Sequence, residues 1–146
     1  MKPLLTLVFL LFTLPARAEL VNIDSAELAR LIAKGVPVID IRTKAEWDET
    51  GLVPGSHPLT FFDERGDADP AAWLARARSI APPGTPVVLI CRSGNRTEMA
   101  GRFLSDKAGY ARVYNVKDGI REWIKQGRAV APAAPALAKC KATGSC

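Results

Sequence analysis

A cysteine stands between a run of apolar residues and a short stretch that carries two arginines. The segment is VVLICRSGNRTEMAGRFL, residues 87–104, in which Cys91 follows the apolar run and Arg92 and Arg96 come next. The thiolate, and not the thiol, is the nucleophilic form of cysteine, and nearby cations favour it. The types and spacing of these residues therefore predict a reactive thiol inside an anion-binding loop.

The loop after the cysteine is expected to support the thiolate as well. Helical spacing of apolar residues predicts a helix from Thr97 to Lys107, and Gly94 permits a tight turn before it. Backbone N–H groups of the loop and the positive end of the helix dipole then converge on the sulfur. A lone cysteine is more often a small core residue, but this context favours a nucleophile. The apolar positions of the helix are Met99, Ala100, Phe103 and Leu104.

Alternating strands and helices are predicted to position this loop. The most apolar strand, Pro86 to Ile90, ends at Cys91, and helical patterns flank it on both sides. Such alternation predicts an α/β fold with a mostly parallel central sheet and helices on both faces, whose ligands bind beyond the carboxyl ends of the strands. Capping patterns mark helix starts at Asp24, Thr43 and Asp69. Helical apolar stripes predict that Trp47, Trp73 and Trp123 are core residues.

The two ends of the 146-residue chain differ in composition from its middle. Residues 1–18 have a basic start, an apolar stretch and an Ala-x-Ala site, which is typical of a signal peptide for export to the periplasm. Residues 19–128 are long enough for a single domain. Residues 129–146 form an Ala/Pro-rich tail, which we expect to be extended and poorly ordered.

Charge and motif content exclude several functions. Removing Lys2 and Arg17 with the leader leaves 18 basic against 15 acidic residues, a net charge of +3. This excess is too small to indicate nucleic acid or a membrane surface as a partner, although a local basic site can attract a small anion. The three cysteines and one histidine lack the close Cys-x-x-Cys spacing of zinc sites, so we expect no metal.

The other two cysteines, Cys140 and Cys146, lie in the last seven residues of the chain. An exported chain meets oxidising conditions, so we expect these two to form a disulfide and Cys91 to be the free thiol. The alternative is a thiol pair that removes sulfur from Cys91.

Three segments of the chain resemble the rhodanese family of thiosulfate sulfurtransferases. CRSGNR after an apolar strand resembles the family's active-site loop, VIDIRTKAEWDETGLVPGSHPL its first signature and VYNVKDGIREWIKQGRAV its closing one. The resemblance extends from Leu20 to about Val130. The chain departs from the family pattern at Gly51-Leu52-Val53 and at Asp118-Gly119, and we expect neither departure to touch the loop.

The resemblance implies a rhodanese-like domain that transfers sulfur in two steps without a cofactor. Cys91 attacks the outer sulfur of a small anionic donor such as thiosulfate, becomes a persulfide, and passes that sulfur to cyanide, a thiol or a sulfur-accepting protein. Arg92 and Arg96 then hold the anionic donor. The amides of Ser93, Gly94 and Asn95 hold the outer sulfur of the persulfide.

Two other functions use a similar loop. A phosphatase or arsenate reductase also uses a cysteine and an arginine, but its pattern has five intervening residues where Cys91 and Arg96 enclose four. A persulfide carrier with negligible turnover would have the same loop. Asp40 and Arg42 are expected to pair with each other or brace the loop, and His57 to be a strand-edge residue, with a Cys91–His57 dyad as the alternative.

Overall fold

Five strands and six helices make up the part of the chain that the computed structural model describes, residues 18–145. The signal-peptide prediction, apart from Ala18, lies outside these residues. None of the helices in the described range has the length and apolarity that crossing a membrane requires. The strands are β1 (Glu19–Ile23), β2 (Val38–Asp40), β3 (His57–Pro58), β4 (Val87–Ile90) and β5 (Arg112–Val116). The helices are α1 (Ser25–Ala33), α2 (Lys44–Thr50), α3 (Pro70–Ile80), α4 (Asn95–Lys107), α5 (Gly119–Lys125) and α6 (Ala133–Thr143).

The strands form one sheet in the order β1-β5-β4-β2-β3, and every neighbouring pair is parallel. β4 lies in the middle, with its Val88 opposite Val38 of β2 and Tyr114 of β5. Parallel neighbours require crossover connections, which the helices supply. The predicted α/β fold with a parallel central sheet is confirmed.

Both faces of the sheet are covered, as the run of apolar residues in β4 requires. Val87 and Leu89 pack on the face where α3 and α4 lie, whereas Val88 and Ile90 pack on the face of α1 and α5. The alternation of side chains along a strand then places the Cys91 side chain on the α3 and α4 face. Trp47, Trp73 and Trp123 are buried, as predicted.

Local capping fixes where three helices begin. The Asp24 side chain accepts a hydrogen bond from the Glu27 N–H, and the Asp69 side chain accepts one from Ala72. Thr43 and Glu46 form a complete capping box at α2. Each bond satisfies a first-turn N–H that lacks a partner within the helix.

The predicted apolar stripe of α4 was wrong at one position. Met99 is 54% exposed, while Ala100 and Leu104 are fully buried. The helix begins at Asn95, two residues before the predicted start, and its buried face follows Thr97, Gly101 and Leu104. Met99 therefore lies on the solvent side of the stripe, because successive helical residues are about 100° apart.

The tail was also predicted wrongly, since residues 133–143 form α6 instead of an extended segment. Pro132 precedes this helix and Pro135 lies in its first turn, where the missing proline N–H has no helical partner to lose. The alanines that follow favour a helix. Buried Ala133 packs with Trp47 and Leu52, so the tail belongs to the folded unit.

Candidate active site

Cys91 lies directly after β4 and is only 1% exposed. Its thiol is free. The Gly94 N–H donates a hydrogen bond to Sγ at 3.1 Å, and the hydroxyl oxygen of Thr97 lies 3.4 Å from the same sulfur. The sulfur is therefore placed between a backbone donor of the loop and a side chain of the first turn of α4.

Gly94 is required at the point where the loop meets α4. Its φ is +93°, and a Cβ there would lie 2.0 Å from the Lys117 carbonyl oxygen. It is the N-cap of α4, and no side chain caps the helix there. The first-turn N–H groups, which have no partner within a helix, are thus left for an anion at the positive end of the dipole.

The start of α5 holds the loop from the opposite side. The Ile120 N–H donates to the Cys91 carbonyl oxygen at 2.9 Å, and the Arg121 N–H to that of Arg92 at 3.2 Å. Gly119 allows this approach, because a Cβ there would lie 2.3 Å from the Arg92 oxygen. The prediction that Asp118-Gly119 does not touch the loop is therefore wrong at Gly119, the member of the pair that the loop geometry needs.

The two loop arginines have different surroundings. Arg96 donates to both carboxylate oxygens of Glu46, at 2.9 Å and 2.6 Å, and both side chains are partly buried. Burial by itself raises the pKa of Glu46, but hydrogen bonds from Arg96 and the Thr43 backbone lower it to about 2. Arg96 is thus half of an ion pair, a role that the spacing of the loop residues did not predict.

Arg92 is exposed in the loop that directly follows Cys91. It lines a cleft of about 80 Å³ that also contains Arg121 and, on the α2 side, Glu46 and Glu49. Ser93 is partly exposed beside it, and Asn95 is exposed at the first position of α4. Of the predicted anion-binding side chains, Arg92 is therefore the one that a donor can reach without breaking an ion pair.

Asp40 and Arg42 form a buried ion pair next to the end of α2. Arg42 Nη2 lies 2.7 Å from Asp40 Oδ2, and the two side chains are 1% and 0% exposed. Nε also donates to Asp40, Nη1 donates to Thr50 Oγ1 at 2.8 Å and to the Glu46 carbonyl oxygen at 3.3 Å, and Nη2 donates to the Gly51 carbonyl oxygen at 2.9 Å. The pair thereby fixes the end of α2, the helix that presents Glu46 to Arg96.

Sequence reasoning missed a polar chain that runs inward from the thiol. Thr97 Oγ1 lies 2.5 Å from Oδ1 of buried Asn115, and Asn115 Nδ2 donates to Asn22 Oδ1 at 2.8 Å. Asn22 and Asn115 are register partners on β1 and β5. The asparagine in the apolar strand sequence RVYNV was the signal that could have identified this series of hydrogen bonds.

The structure does not bring the other predicted groups to Cys91. His57 is on β3, which β2 separates from β4. Burial lowers the pKa of His57, and the positive charge of Lys139 lowers it further. Cys140 is buried in α6 and disulfide-bonded, while Cys146, its predicted partner, lies outside the described residues. Within residues 18–145 no three His, Cys, Asp or Glu side chains form a group that could hold a metal ion.

The structure therefore combines a parallel α/β sheet with a free, buried cysteine at the carboxyl end of its central strand. The model of the rhodanese-like domain matches residues 24–126 of this chain. The chain belongs to the rhodanese-like family, and its predicted membership is confirmed.

Relatives of this chain include sulfurtransferases. A sulfurtransferase of Allochromatium vinosum is 34% identical over 108 residues, which are 73% of this chain and 90% of the relative. An adenylyltransferase and sulfurtransferase of Neosartorya fischeri is 30% identical over 65% of this chain, but the match spans only 23% of that longer protein. A rhodanese-related protein of Thermoplasma volcanium has a solved structure that is 28% identical, with a TM-score of 0.58, over 76% of this chain and 97% of its own. Family and relatives support sulfur transfer as the general activity.

Proposed function

We propose that this protein is a sulfurtransferase that moves a sulfane sulfur from an anionic donor such as thiosulfate to cyanide or a thiol, through a persulfide on Cys91. The observation that carries the proposal is the 3.1 Å hydrogen bond from the Gly94 N–H to Cys91 Sγ at the start of α4. A donor aimed at the sulfur favours a charged or strongly polarised sulfur there. The uncapped first turn of α4 provides further donors for an anion.

The reaction is balanced without a cofactor. The Cys91 thiolate attacks the outer sulfur of thiosulfate, a bond forms between the two sulfurs, and the S–S bond of the donor breaks, so that sulfite leaves with its electron pair. The enzyme then carries a persulfide anion. Attack of cyanide carbon on the outer sulfur releases thiocyanate and regenerates the thiolate.

Burial of the thiol favours a small donor. Cys91 is 1% exposed, so a bulky group cannot approach Sγ directly. In the persulfide the transferable sulfur lies about 2 Å farther out, and it can thereby reach the mouth where Arg92 is exposed. The acceptor therefore attacks the outer sulfur of the persulfide, which is more accessible than the Sγ that attacks the donor. This acceptor is cyanide, a small thiol or a thiol on a protein.

The same geometry disfavours the phosphatase or arsenate reductase alternative. A tetrahedral oxyanion would have to share the Arg96 guanidinium with Glu46, which holds it in a bidentate pair. The loop also has four residues between Cys91 and Arg96, one fewer than the phosphatase pattern. We further propose that the reaction takes place in the periplasm, which the composition of residues 1–18 supports.

Intact mass after incubation with thiosulfate tests the chemistry and the residue together. The wild-type protein should gain the mass of one sulfur atom, cyanide should remove it, and Cys91→Ser should gain nothing while keeping its melting temperature. A wild-type protein that takes up no sulfur, or a Cys91→Ser protein that does, would contradict the proposal. Steady-state turnover with thiosulfate and cyanide separates the two remaining functions, because a persulfide that forms but scarcely turns over indicates a carrier.

A further inference from the structure

One hydroxyl proton has three acceptors around it at the buried end of the site. Thr97 Oγ1 lies 3.4 Å from Cys91 Sγ, 2.9 Å from the Gly94 carbonyl oxygen and 2.5 Å from Asn115 Oδ1. A threonine hydroxyl has a single proton to donate and two lone pairs to accept with. The three acceptors therefore compete for this proton, and its position determines whether the sulfur receives a hydrogen bond from Thr97.

The surroundings favour Asn115 in this competition. The Gly94 carbonyl already accepts a helical bond from the Glu98 N–H at 3.0 Å. Asn115 is buried, and its Nδ2 is used by the donation to Asn22, which turns Oδ1 towards Thr97. Without the Thr97 proton, that buried oxygen would lose the hydrogen bond that the described residues give it, at the cost of an unsatisfied buried acceptor.

We propose that Asn115 is a positioning residue that holds the Thr97 proton away from Cys91, and that it thereby offsets part of the stabilisation that the Gly94 N–H gives the thiolate, in favour of states in which the inner sulfur carries no charge. The thiol is one such state, because its S–H can donate to the free lone pair of Thr97. The persulfide is the other, because its charge resides on the outer sulfur at the mouth of the loop. Only the thiolate has to compete with Asn115 for the proton. The persulfide part of this inference rests on the proposed function.

The pH profile of Cys91 alkylation by iodoacetamide, located by peptide mass, measures this competition without any sulfur donor. Asn115→Leu releases the Thr97 proton to the thiolate, so the midpoint of the profile should move to lower pH by about 0.5 to 1 pH unit, the three- to tenfold change in the ionisation equilibrium expected for one hydrogen bond. The plateau rate at high pH should stay the same or fall slightly, because a thiolate of lower pKa is a weaker nucleophile. Asn115→Ala, which removes the same oxygen without adding bulk, should behave alike if the leucine is not tolerated.

A second variant shows whether Asn115 acts through Thr97. In a Thr97→Val background there is no proton to compete for, so adding Asn115→Leu should leave the alkylation profile of Thr97→Val where it is. An unchanged profile in the single Asn115 variants, a shift to higher pH, or an equal shift in the Thr97→Val background would overturn the proposal. A rise in the plateau rate alone would report a loosened site and would equally overturn it.

The persulfide equilibrium gives the second readout. At a plateau pH, where the resting form is the thiolate, Asn115→Leu should lower the ratio of persulfide to thiolate about three- to tenfold at a fixed ratio of thiosulfate to sulfite. At low pH the resting form is the thiol, and there Asn115→Leu should leave the ratio of persulfide to thiol unchanged. An unchanged ratio at the plateau pH would contradict the persulfide part. If the wild type forms no persulfide, the proposed function fails, while the alkylation profiles still decide whether Asn115 controls the proton.

Discussion

The two arginines of the active-site loop do different work although they are four residues apart. Arg96 is paired with Glu46, so its charge is largely balanced and its guanidinium fixes the loop against α2. Arg92 is exposed at the cleft. We therefore expect donor binding to depend on Arg92 and the loop amides, and loop geometry to depend on Arg96.

Replacing each arginine by alanine distinguishes donor binding from maintenance of the loop geometry. Arg92→Ala should raise KM for thiosulfate about two- to fivefold with kcat and melting temperature little changed, because an exposed charge contributes modestly to binding. Arg96→Ala should lower both kcat and melting temperature, since it leaves the Glu46 carboxylate without its partner, at about 1–3 kcal/mol. The matched variant Arg96→Ala/Glu46→Gln removes the orphaned charge and should recover part of the stability. Equal effects of Arg92→Ala and Arg96→Ala on KM alone would contradict this division.

Sequence spacing predicted that Cys91 follows a strand and precedes a glycine-containing turn into a helix, because these are local patterns. It could not assign Glu46 to Arg96 or Asn115 to Thr97, which lie 50 and 18 positions apart in the chain. Both contacts arise from how the elements pack. The residues that tune the sulfur are thus mainly those that the sheet and α2 bring to the loop.

Among the elements, α2 connects the tail to the site. Its last residues are held by Arg42, and the segment after it forms a bridge in which Leu52 pairs with Ala131 ahead of α6. Composition alone could not predict this, because an alanine-rich stretch that contains prolines is compatible with both an extended chain and a helix. Prolines in a first turn start a helix as readily as they prevent one.

Gly51 tests whether this connection stabilises the domain. Its φ of +77° and ψ of −171° lie in a region that only glycine occupies readily, and a Cβ there would be 2.7 Å from the Ala131 carbonyl oxygen. Gly51→Ala should lower the free energy of unfolding by about 2–4 kcal/mol in urea denaturation. Gly55→Ala is the matched control, because Gly55 also has a positive φ but no atom within 4 Å of its Cβ position. Equal losses in the two variants would show that the Ala131 contact contributes nothing.

The cysteines of the tail are predicted to serve stability and not sulfur relay. Cys140 lines a groove with His57 and Ile80, whereas Cys91 faces the loop. Cys140→Ser/Cys146→Ser should therefore keep thiosulfate:cyanide turnover within twofold of wild type. It should lower the free energy of unfolding by up to about 2.4 kcal/mol, the chain-entropy value for a seven-residue loop. A large loss of turnover would instead support the relay.

At the scale of the whole molecule, composition and periodicity were enough to predict the parallel α/β fold. β4 is buried on both faces and reads VVLI, while helices with capped starts alternate with the strands. The strand order β1-β5-β4-β2-β3 was not predicted, because local patterns carry no information on which strands pair. The sheet order is nevertheless what brings Asn115 of β5 beside the residue that follows β4.

The Glu46–Arg96 pair also links global stability to acid. The pKa of Glu46 is held at about 2 in the folded protein against 4.5 for the ordinary group. A carboxyl group whose pKa is lower in the folded protein than in the unfolded chain stabilises the fold at pH values above its unfolded pKa. This contribution is lost as the pH falls towards the folded pKa. The free energy of unfolding should therefore decline from pH 4.5 to pH 2. The part due to this pair should be about 1–2 kcal/mol, since the pair is partly solvated.

Urea denaturation of wild type and Glu46→Gln across this range measures the contribution. Glutamine cannot ionise, so the variant should begin less stable near neutral pH and lose less stability on acidification, and the two curves should converge towards pH 2. Other carboxylates also titrate here, among them Asp24 and Asp63, whose pKa values backbone hydrogen bonds lower, but they contribute equally to both proteins and cancel in the difference. Parallel curves from neutral pH to pH 2 would show that the pair does not couple folding to protonation. Arg96 would then fix the loop by its hydrogen-bonding geometry, independently of the charge on Glu46.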